Sequence, residues 1–552
     1  MDVADSPYAK RPWQALYAEG QPGDIAIPSD DILGMFRANL KLRPGAVAVR
    51  YFDAQLTYED LDRLSDAFAA WAHRAGLVAG DRLFVMLQNV PQFFIAALAC
   101  WKTGAVPVLG NPMYREAELN KLFADCAPRM VLCHPDSLGA LVAASAIGAS
   151  VLTTSGHEFQ TRNDARCLPP ETPTPAGATD FMTAVRSCLG SAAPDRAVIS
   201  ADLALLLYTS GTTGVPKGAK LTHANLAFIM AATRTWFDLD ANSRILAVAP
   251  LFHITGFALH ISLALASGGS AVLFYRYEPN VALEAMLEHR PTFTIGASTV
   301  FISLMNTPGA SPEHMASFRA VYSGGAPIPP TLVAEFSRRM GQQIRSSYGM
   351  TETTSPTHLA PPGAEIPVDP ASGALAIGIP IWNVDAVIVN DQGAICELGE
   401  AGELLVRGPQ IMAGYWNRPE ETAATLAGGW MHTGDIATMD ARGWFYLVDR
   451  KKDMINASGF KVWPREVEDT LYQHSAVREA AVIGVPDPYR GETVKAFVSL
   501  KPGATASPAE LVAFAREHLA AYKCPRDVEI VEDLPKTLTG KIRRQALRET
   551  AG

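Results

Sequence analysis

The stretch "LLLYTSGTTGVPKGAKLTH", Leu205 to His223, decides how the chain is read. A short apolar run breaks into glycine and hydroxyl residues, reaches one lysine, Lys217, and resumes a pattern that can start a helix. With "LALLLYT" as a strand and "THANLAFIM" as helix-compatible, the spacing predicts a strand-loop-helix unit. Glycines let backbone N–H groups approach a ligand, the hydroxyls add donors and Lys217 adds charge, so the loop suits phosphate oxygens. It departs from G-x-x-x-x-G-K-[ST], because Gly218 follows Lys217. A glycine-rich turn alone serves structure as readily as a ligand.

Upstream, between about 56 and 200, helical patterns such as "TYEDLDRLSDAFAAWAHRAG" alternate with short apolar runs, "DRLFVML", "AVPVLG" and "PRMVLC". That alternation implies α/β layering on a largely parallel sheet. The polar, proline-rich stretch 154–196 is expected to be a surface excursion. From roughly 375 the texture changes to short alternating runs with turn glycines, which implies a small β-rich subdomain. The last hundred residues read as a compact α+β unit, with "DRKKD" at 449–453 as its hinge.

The length of 552 residues exceeds a single core, so more than one domain is expected. A formal charge of −9 gives no general attraction to nucleic acid or to an anionic membrane. Seven widely spaced cysteines without a CxxC pair favour reduced thiols that fill the core of a cytoplasmic protein. The N-terminus lacks a secretory pattern, and "FFIAALACW" is too short to span a membrane.

Several motifs occur in one order: "YTSGTTGVPKG", "SYGMTETT" at 347–354, "GELLVRG" at 402–408, "HTGDIA" at 432–437, "YLVDRKKDMINASGFKVWPREVE" at 446–468 and "PKTLTGKIRR" at 535–544. In this set the chain resembles the adenylate-forming superfamily, and its opening "RPWQALYAEGQPGDI" and "GNPMYREAEL" at 110–119 resemble, within it, bacterial medium- and long-chain fatty acyl-CoA ligases. The resemblance implies an α/β fold. Residues 1–449 would be a large N-terminal domain of layered α/β subdomains, with the β-rich subdomain at about 375–449. Residues 450–552 would be a small mobile α+β C-terminal domain carrying the catalytic lysine.

The reaction implied joins a carboxylate to ATP as an acyl adenylate, releases pyrophosphate, and passes the acyl group to coenzyme A. Two anions must meet, so a metal and aimed cations are needed. By resemblance, Thr209, Ser210, Gly211, Thr212, Thr213, Gly214 and Lys217 hold the phosphates. Glu352 coordinates Mg2+, a hard cation that takes oxygen ligands, and Thr351 contacts the α-phosphate. Gly324, Gly325, Ala326, Pro327, Tyr348 and Gly349 lie along adenine. Asp435, an acceptor-only group suited to a diol, and Arg450 take the ribose. Lys541 is the mobile catalytic lysine, and Arg543 and Arg544 are expected to form a solvated basic tail. Lys452 is the hinge, and Ser458, Gly459 and Phe460 line the CoA tunnel.

"PLFHITGF" at 250–257 resembles the motif beside the acyl carboxylate, with His253 as an aromatic gate. A histidine among apolar residues is otherwise most often a satisfied core group. The acyl pocket is assigned to His253, Gly256, Phe257, Ala297, Ser298 and Gly325. Ala258 and Gly296 add to its small residues. The segments "FHITGFALHISLALASGG" and "TFTIGASTVFISLMN" carry no Lys, Arg, Asp or Glu. A second charge on the substrate would be buried unpaired there, so an apolar monocarboxylic acid is expected. A medium- or long-chain fatty acid comes first and an aryl or arylpropenoic acid second. Two rival readings are an acyl-AMP ligase that loads a separate carrier protein, and a catalytically dead nucleotide-binding protein. Retention of Lys217, Glu352, Asp435 and Lys541 opposes the second. The expected partners are the carboxylic acid, ATP and CoA, with no nucleic acid, peripheral membrane contact at most, and a homodimer as the candidate assembly.

Overall fold

The computed structural model describes residues 3–26, 31–209, 216–326, 328–370, 372–450, 453–457, 460–487, 491–537 and 541–551. The helix Tyr58–Arg74 shows why the α/β reading works. Thr57 accepts the Asp60 N–H while the Asp60 carboxylate takes the Thr57 N–H, and Glu59 and Asp60 sit in the first turn. Such a cap contributes about 1 kcal/mol, and the acidic first turn suits the helix dipole. The helix Pro91–Thr103, which holds "FFIAALACW", is buried along its whole length. Its run is therefore a core helix. Among the described residues no helix is long and apolar enough to cross a membrane.

Two mixed sheets build the large lobe. A 7-stranded sheet runs in the order Thr179–Asp180, Ser150–Thr153, Met130–Cys133, Arg82–Met86, Val106–Leu109, Leu203–Thr209 and Lys217–Thr222. All its pairs are parallel except the last. Leu203–Thr209 lies inside this sheet and is buried along its central five residues, as a near-continuous apolar run requires. The stretch 154–196 is more than a surface excursion. It adds Thr179–Asp180 to the sheet and the helix Phe181–Arg186, whose Phe181 packs on Phe68 with ring centres 4.6 Å apart.

A 13-stranded sheet forms the second layer. Within it Arg244–Leu246, Phe293–Gly296, Ala320–Ser323 and Arg345–Met350 lie side by side and parallel. The segments that leave their C-terminal ends therefore emerge along one edge, where open α/β sheets bind ligands. The turn-rich region contributes Ala376–Pro380, Asp385–Val389, Gly402–Arg407, Met431–Met439 and Phe445–Arg450, paired antiparallel. They continue the same sheet through Ser355–Leu359.

The C-terminal residues form a separate sheet from Phe460–Val462, Ile455–Ala457, Gly491–Leu500, Val477–Asp487 and Asp527–Ile530. It has its own apolar core, which includes Val462, Val467, Leu471, Val482 and Val498. The helices Pro464–Tyr472, Pro508–His518 and Arg544–Ala551 accompany it.

Candidate active site

The segment that opened the reading folds as a hairpin. Leu203–Thr209 and Lys217–Thr222 pair antiparallel, with Thr209 opposite Lys217 and Tyr208 opposite Gly218. The expected strand-loop-helix unit thus gains a strand before the helix His223–Trp236. The reason is the alternation that places Ala219 and Leu221 fully in the core. Thr222 caps the helix by accepting the Asn225 N–H, at the far end of the strand from Lys217. The helix dipole is therefore not aimed at the turn. Ser210, Gly211, Thr212, Thr213 and Gly214 lie outside the described residues.

A third segment lies along this hairpin. The Lys220 N–H donates to the Gly414 carbonyl at 2.9 Å, the Trp416 N–H donates to the Gly218 carbonyl at 2.7 Å, and Ala219 bridges to Tyr415. The Tyr415 ring then lies 5.3 Å from Lys217 Nζ, and its hydroxyl donates to Glu352 Oε1 at 2.9 Å. Burial, followed by the Glu352 charge, raises the phenol pKa. Tyr415 escaped the sequence reading. Its only signal there was an aromatic after a turn glycine.

Glu352 itself stands at the reversal between Arg345–Met350 and Ser355–Leu359. The turn is strained, because Thr354 has φ 53 and Ser355 has φ 95, values side chains rarely adopt. It is held by the Thr354 hydroxyl donating to the Gln410 carbonyl at 2.8 Å and by the Met412 N–H donating to the Glu352 carbonyl at 2.9 Å. Thr351 starts the short 3-10 turn Thr351–Thr353 that presents Glu352.

On the same strand Tyr348 donates its hydroxyl to Asp435 Oδ2 at 2.7 Å, and both side chains are buried. Asp435 pairs across the sheet with Arg450, the other ribose candidate. Gly324 packs tightly, since a Cβ there would lie 2.7 Å from the Ser347 carbonyl oxygen. Gly325 has φ +80 and open space where a Cβ would stand, so a flat ring can approach it and Ala326. Gly349 serves the backbone, because a Cβ would fall 1.9 Å from the Ser355 carbonyl oxygen. Pro327 lies outside the described residues.

His253 precedes the helical turn Ile254–Gly256 and caps it by accepting the Thr255 N–H. Burial, then the positive charge of Lys541, holds its imidazole at about 4. It is neutral near pH 7, which fits packing rather than proton transfer. The smallness of Gly256 has a different use from the space expected of it. A Cβ would lie 2.0 Å from the Pro250 carbonyl oxygen, so this glycine lets two backbone segments cross. Phe257 is buried against Phe93 and Trp101. Phe257 also opens the π-helical turn Phe257–Ser262, a widening often found at functional sites. Ala297 occupies the N-cap position of the helix Ser298–Asn306 without a side-chain cap bond, and Ser298 is buried at its start.

The charge of Lys541 acts on His253, so the small lobe contributes to the same region. Its backbone is fixed by the Thr537 N–H donating to the Lys541 carbonyl at 2.7 Å and by the Lys541 N–H donating to the Thr537 hydroxyl at 3.1 Å. Arg544 is not part of a solvated tail. It reaches Glu468 at 2.7 Å and Asp453 at 3.3 Å, and Arg548 meets Asp453 at 3.0 Å. The buried carboxylates of Asp453 and Glu468 recruit the arginine, since unpaired charge inside a fold is costly. Lys452, Ser458 and Gly459 lie outside the described residues. Phe460 opens the strand Phe460–Val462.

Fold and site together define a two-lobed α/β enzyme whose larger lobe carries a lysine and a carboxylate joined by Tyr415 and a buried aspartate bonded to Tyr348. Its smaller lobe adds a lysine. The AMP-binding enzyme family model matches residues 36–416, and the model of its C-terminal domain matches 466–541. The chain belongs to the AMP-binding enzyme family. It is 35% identical to a long-chain-fatty-acid–CoA ligase of Bacillus subtilis, over 98% of each chain. It is 36% identical to a feruloyl-CoA synthase of an Amycolatopsis species, over 93% of this chain and 97% of that one. The crystal structure of ATP-bound MatB from Rhodopseudomonas palustris superposes with a TM-score of 0.84 at 28% identity, covering 94% of this chain and 99% of that one.

Proposed function

We propose that the protein is an AMP-forming acid–CoA ligase. The carboxylate oxygen of the acid attacks the α-phosphorus of ATP and pyrophosphate leaves. The CoA thiol then attacks the acyl carbonyl, loses its proton, and AMP leaves. The observation that supports this best is the joining of Lys217 and Glu352, from distant parts of the chain, through Tyr415.

In this reading Thr209 and Lys217, with residues 210–214, hold the β- and γ-phosphates. Thr351 contacts the α-phosphate, Tyr348 and 324–327 border adenine, and Asp435 with Arg450 takes the ribose. Lys541 addresses the carboxylate and α-phosphate, where charge builds in the transition state. Glu352 would hold Mg2+. One carboxylate, with no cluster of three or more His, Cys, Asp or Glu ligands among the described residues, suits a cation that keeps waters and substrate phosphates as ligands. The metal would offset phosphate charge there. We divide the chain at 449/450, with Lys452 as hinge and 458–460 along the thiol's path after rotation.

The uncharged acyl segments support an apolar monocarboxylic acid, with a medium- or long-chain fatty acid first. An aryl or arylpropenoic acid stands second, supported by the feruloyl-CoA synthase relative. The test is acid-dependent pyrophosphate release, with and without CoA, across fatty acids of rising length and several aryl acids. Release with fatty acids and CoA-thioester formation is expected. Turnover confined to aryl acids overturns the substrate choice, and adenylate without thioester when CoA is present favours carrier loading.

A further inference from the structure

Tyr415 touches both charged groups that the ligase reading assigns to ATP and its metal. Its hydroxyl reaches Glu352 at 2.9 Å and its ring lies 5.3 Å from the Lys217 ammonium. The ring is fixed from two sides. The hydrogen bonds of Gly414 and Trp416 tie it to the strand of Lys217, and the Met412 N–H ties the same segment to the Glu352 turn. Gly414, at φ +119, makes the sharp bend that aims it, and a Cβ there would strike the Thr422 side chain at 2.6 Å.

This arrangement solves an electrostatic problem. Lys217, at the start of its strand, and Glu352, on its 3-10 turn, are opposite charges that share Tyr415, yet neither forms an ion pair with any described residue. A direct pair would neutralise both groups and would have to break before either met a ligand. An aromatic face instead attracts the ammonium through its quadrupole, a contact that phosphate oxygens can replace. The hydroxyl engages one carboxylate oxygen and leaves the second without a partner among the described residues. Hydrogen bonds of this kind orient metal-ligating carboxylates.

We infer that Tyr415 is a positioning residue. Its hydroxyl sets Glu352 so that the second oxygen faces the divalent cation accompanying ATP, and its ring keeps Lys217 from collapsing onto Glu352 until phosphates draw it over. The inference rests on the ligase reading for the identity of those ligands.

Tyr415→Phe retains the ring and removes the hydroxyl, whereas Tyr415→Leu removes both. Mn2+ binding to the enzyme with α,β-methylene-ATP, followed by electron paramagnetic resonance, should weaken about 10-fold in Tyr415→Phe. The Mg2+ needed for half-maximal pyrophosphate release should rise in parallel, with the KM for ATP at saturating metal unchanged. Tyr415→Leu should show the same metal defect and, in addition, a KM for ATP raised about 5-fold. Wild-type metal binding by Tyr415→Phe overturns the inference. So does an activity loss that saturating Mg2+ does not restore, because that marks a purely structural role. The resonance measurement needs neither acid nor turnover. A Tyr415-dependent metal site in a protein that releases no pyrophosphate with any acid would therefore sink the ligase reading and leave the inference standing.

Discussion

At the residue scale, the chemistry rests on few side chains, and their charge states follow from burial. His260 and His358 are fully buried, and burial lowers their imidazoles to about 4 and about 3. In the unfolded chain they take up protons near pH 6.5, whereas the folded chain resists until far lower pH. Their stabilising contribution is therefore complete above 6.5 and is lost as the pH falls toward 4. The urea midpoint should drop steadily between pH 6.5 and 4.5, with each histidine giving up on the order of 2–3 kcal/mol. A flat midpoint over that range would contradict it. Lys541→Ala should lower adenylation by about 10²–10³-fold while ATP binding, measured by calorimetry, persists. Undiminished adenylation would remove Lys541 from the mechanism. Most residues proposed for the site were legible because each sits in a local motif. Tyr415 was not, since its role exists only where three distant segments meet.

At the element scale, two features depart from expectation where sequence texture and packing disagree. Lys217–Thr222 holds two lysines and a glycine, which hides its alternation, and the strand became visible only through its pairing with Leu203–Thr209. Gly256 is the second case. Its small size suggested room for a ligand, but the space belongs to the carbonyl of Pro250. Gly256→Ala should destabilise the large lobe by about 1–3 kcal/mol, because backbone cannot move aside as a side chain can. A melting temperature equal to wild type would show that the crossing is looser than its 2.0 Å contact implies. The strands "DRLFVML", "AVPVLG" and "PRMVLC" were legible for the opposite reason, being apolar runs bounded by helices, and they form adjacent parallel strands.

At the scale of the whole molecule, the change of texture near the end of the chain corresponds to a sheet with its own core. Calorimetry should accordingly resolve two unfolding transitions. Arg544→Met, which removes the arginine from the buried Glu468 carboxylate and leaves Asp453 with Arg548, should lower only the smaller one, by about 3–5 kcal/mol. One merged transition, shifted as a unit, would show the lobes to be thermodynamically inseparable. The role of Arg544 was hidden in sequence because it lies in a basic run that resembles a solvated tail, while its acidic partners are far upstream.

The hairpin around Lys217 has a consequence for how variants would be found. Thr209 and Lys217 are locked in register, so the sheet fixes the separation of the two residues that bracket 210–216, whatever fills 210–215. Doubling such a connection changes closure entropy by only about 0.6 kcal/mol. A randomised library at 210–215 should therefore pass a thermal or expression screen almost intact while its members differ widely in turnover. Selection for stability would be blind to positions that include the five, 210–214, proposed to hold the phosphates of ATP.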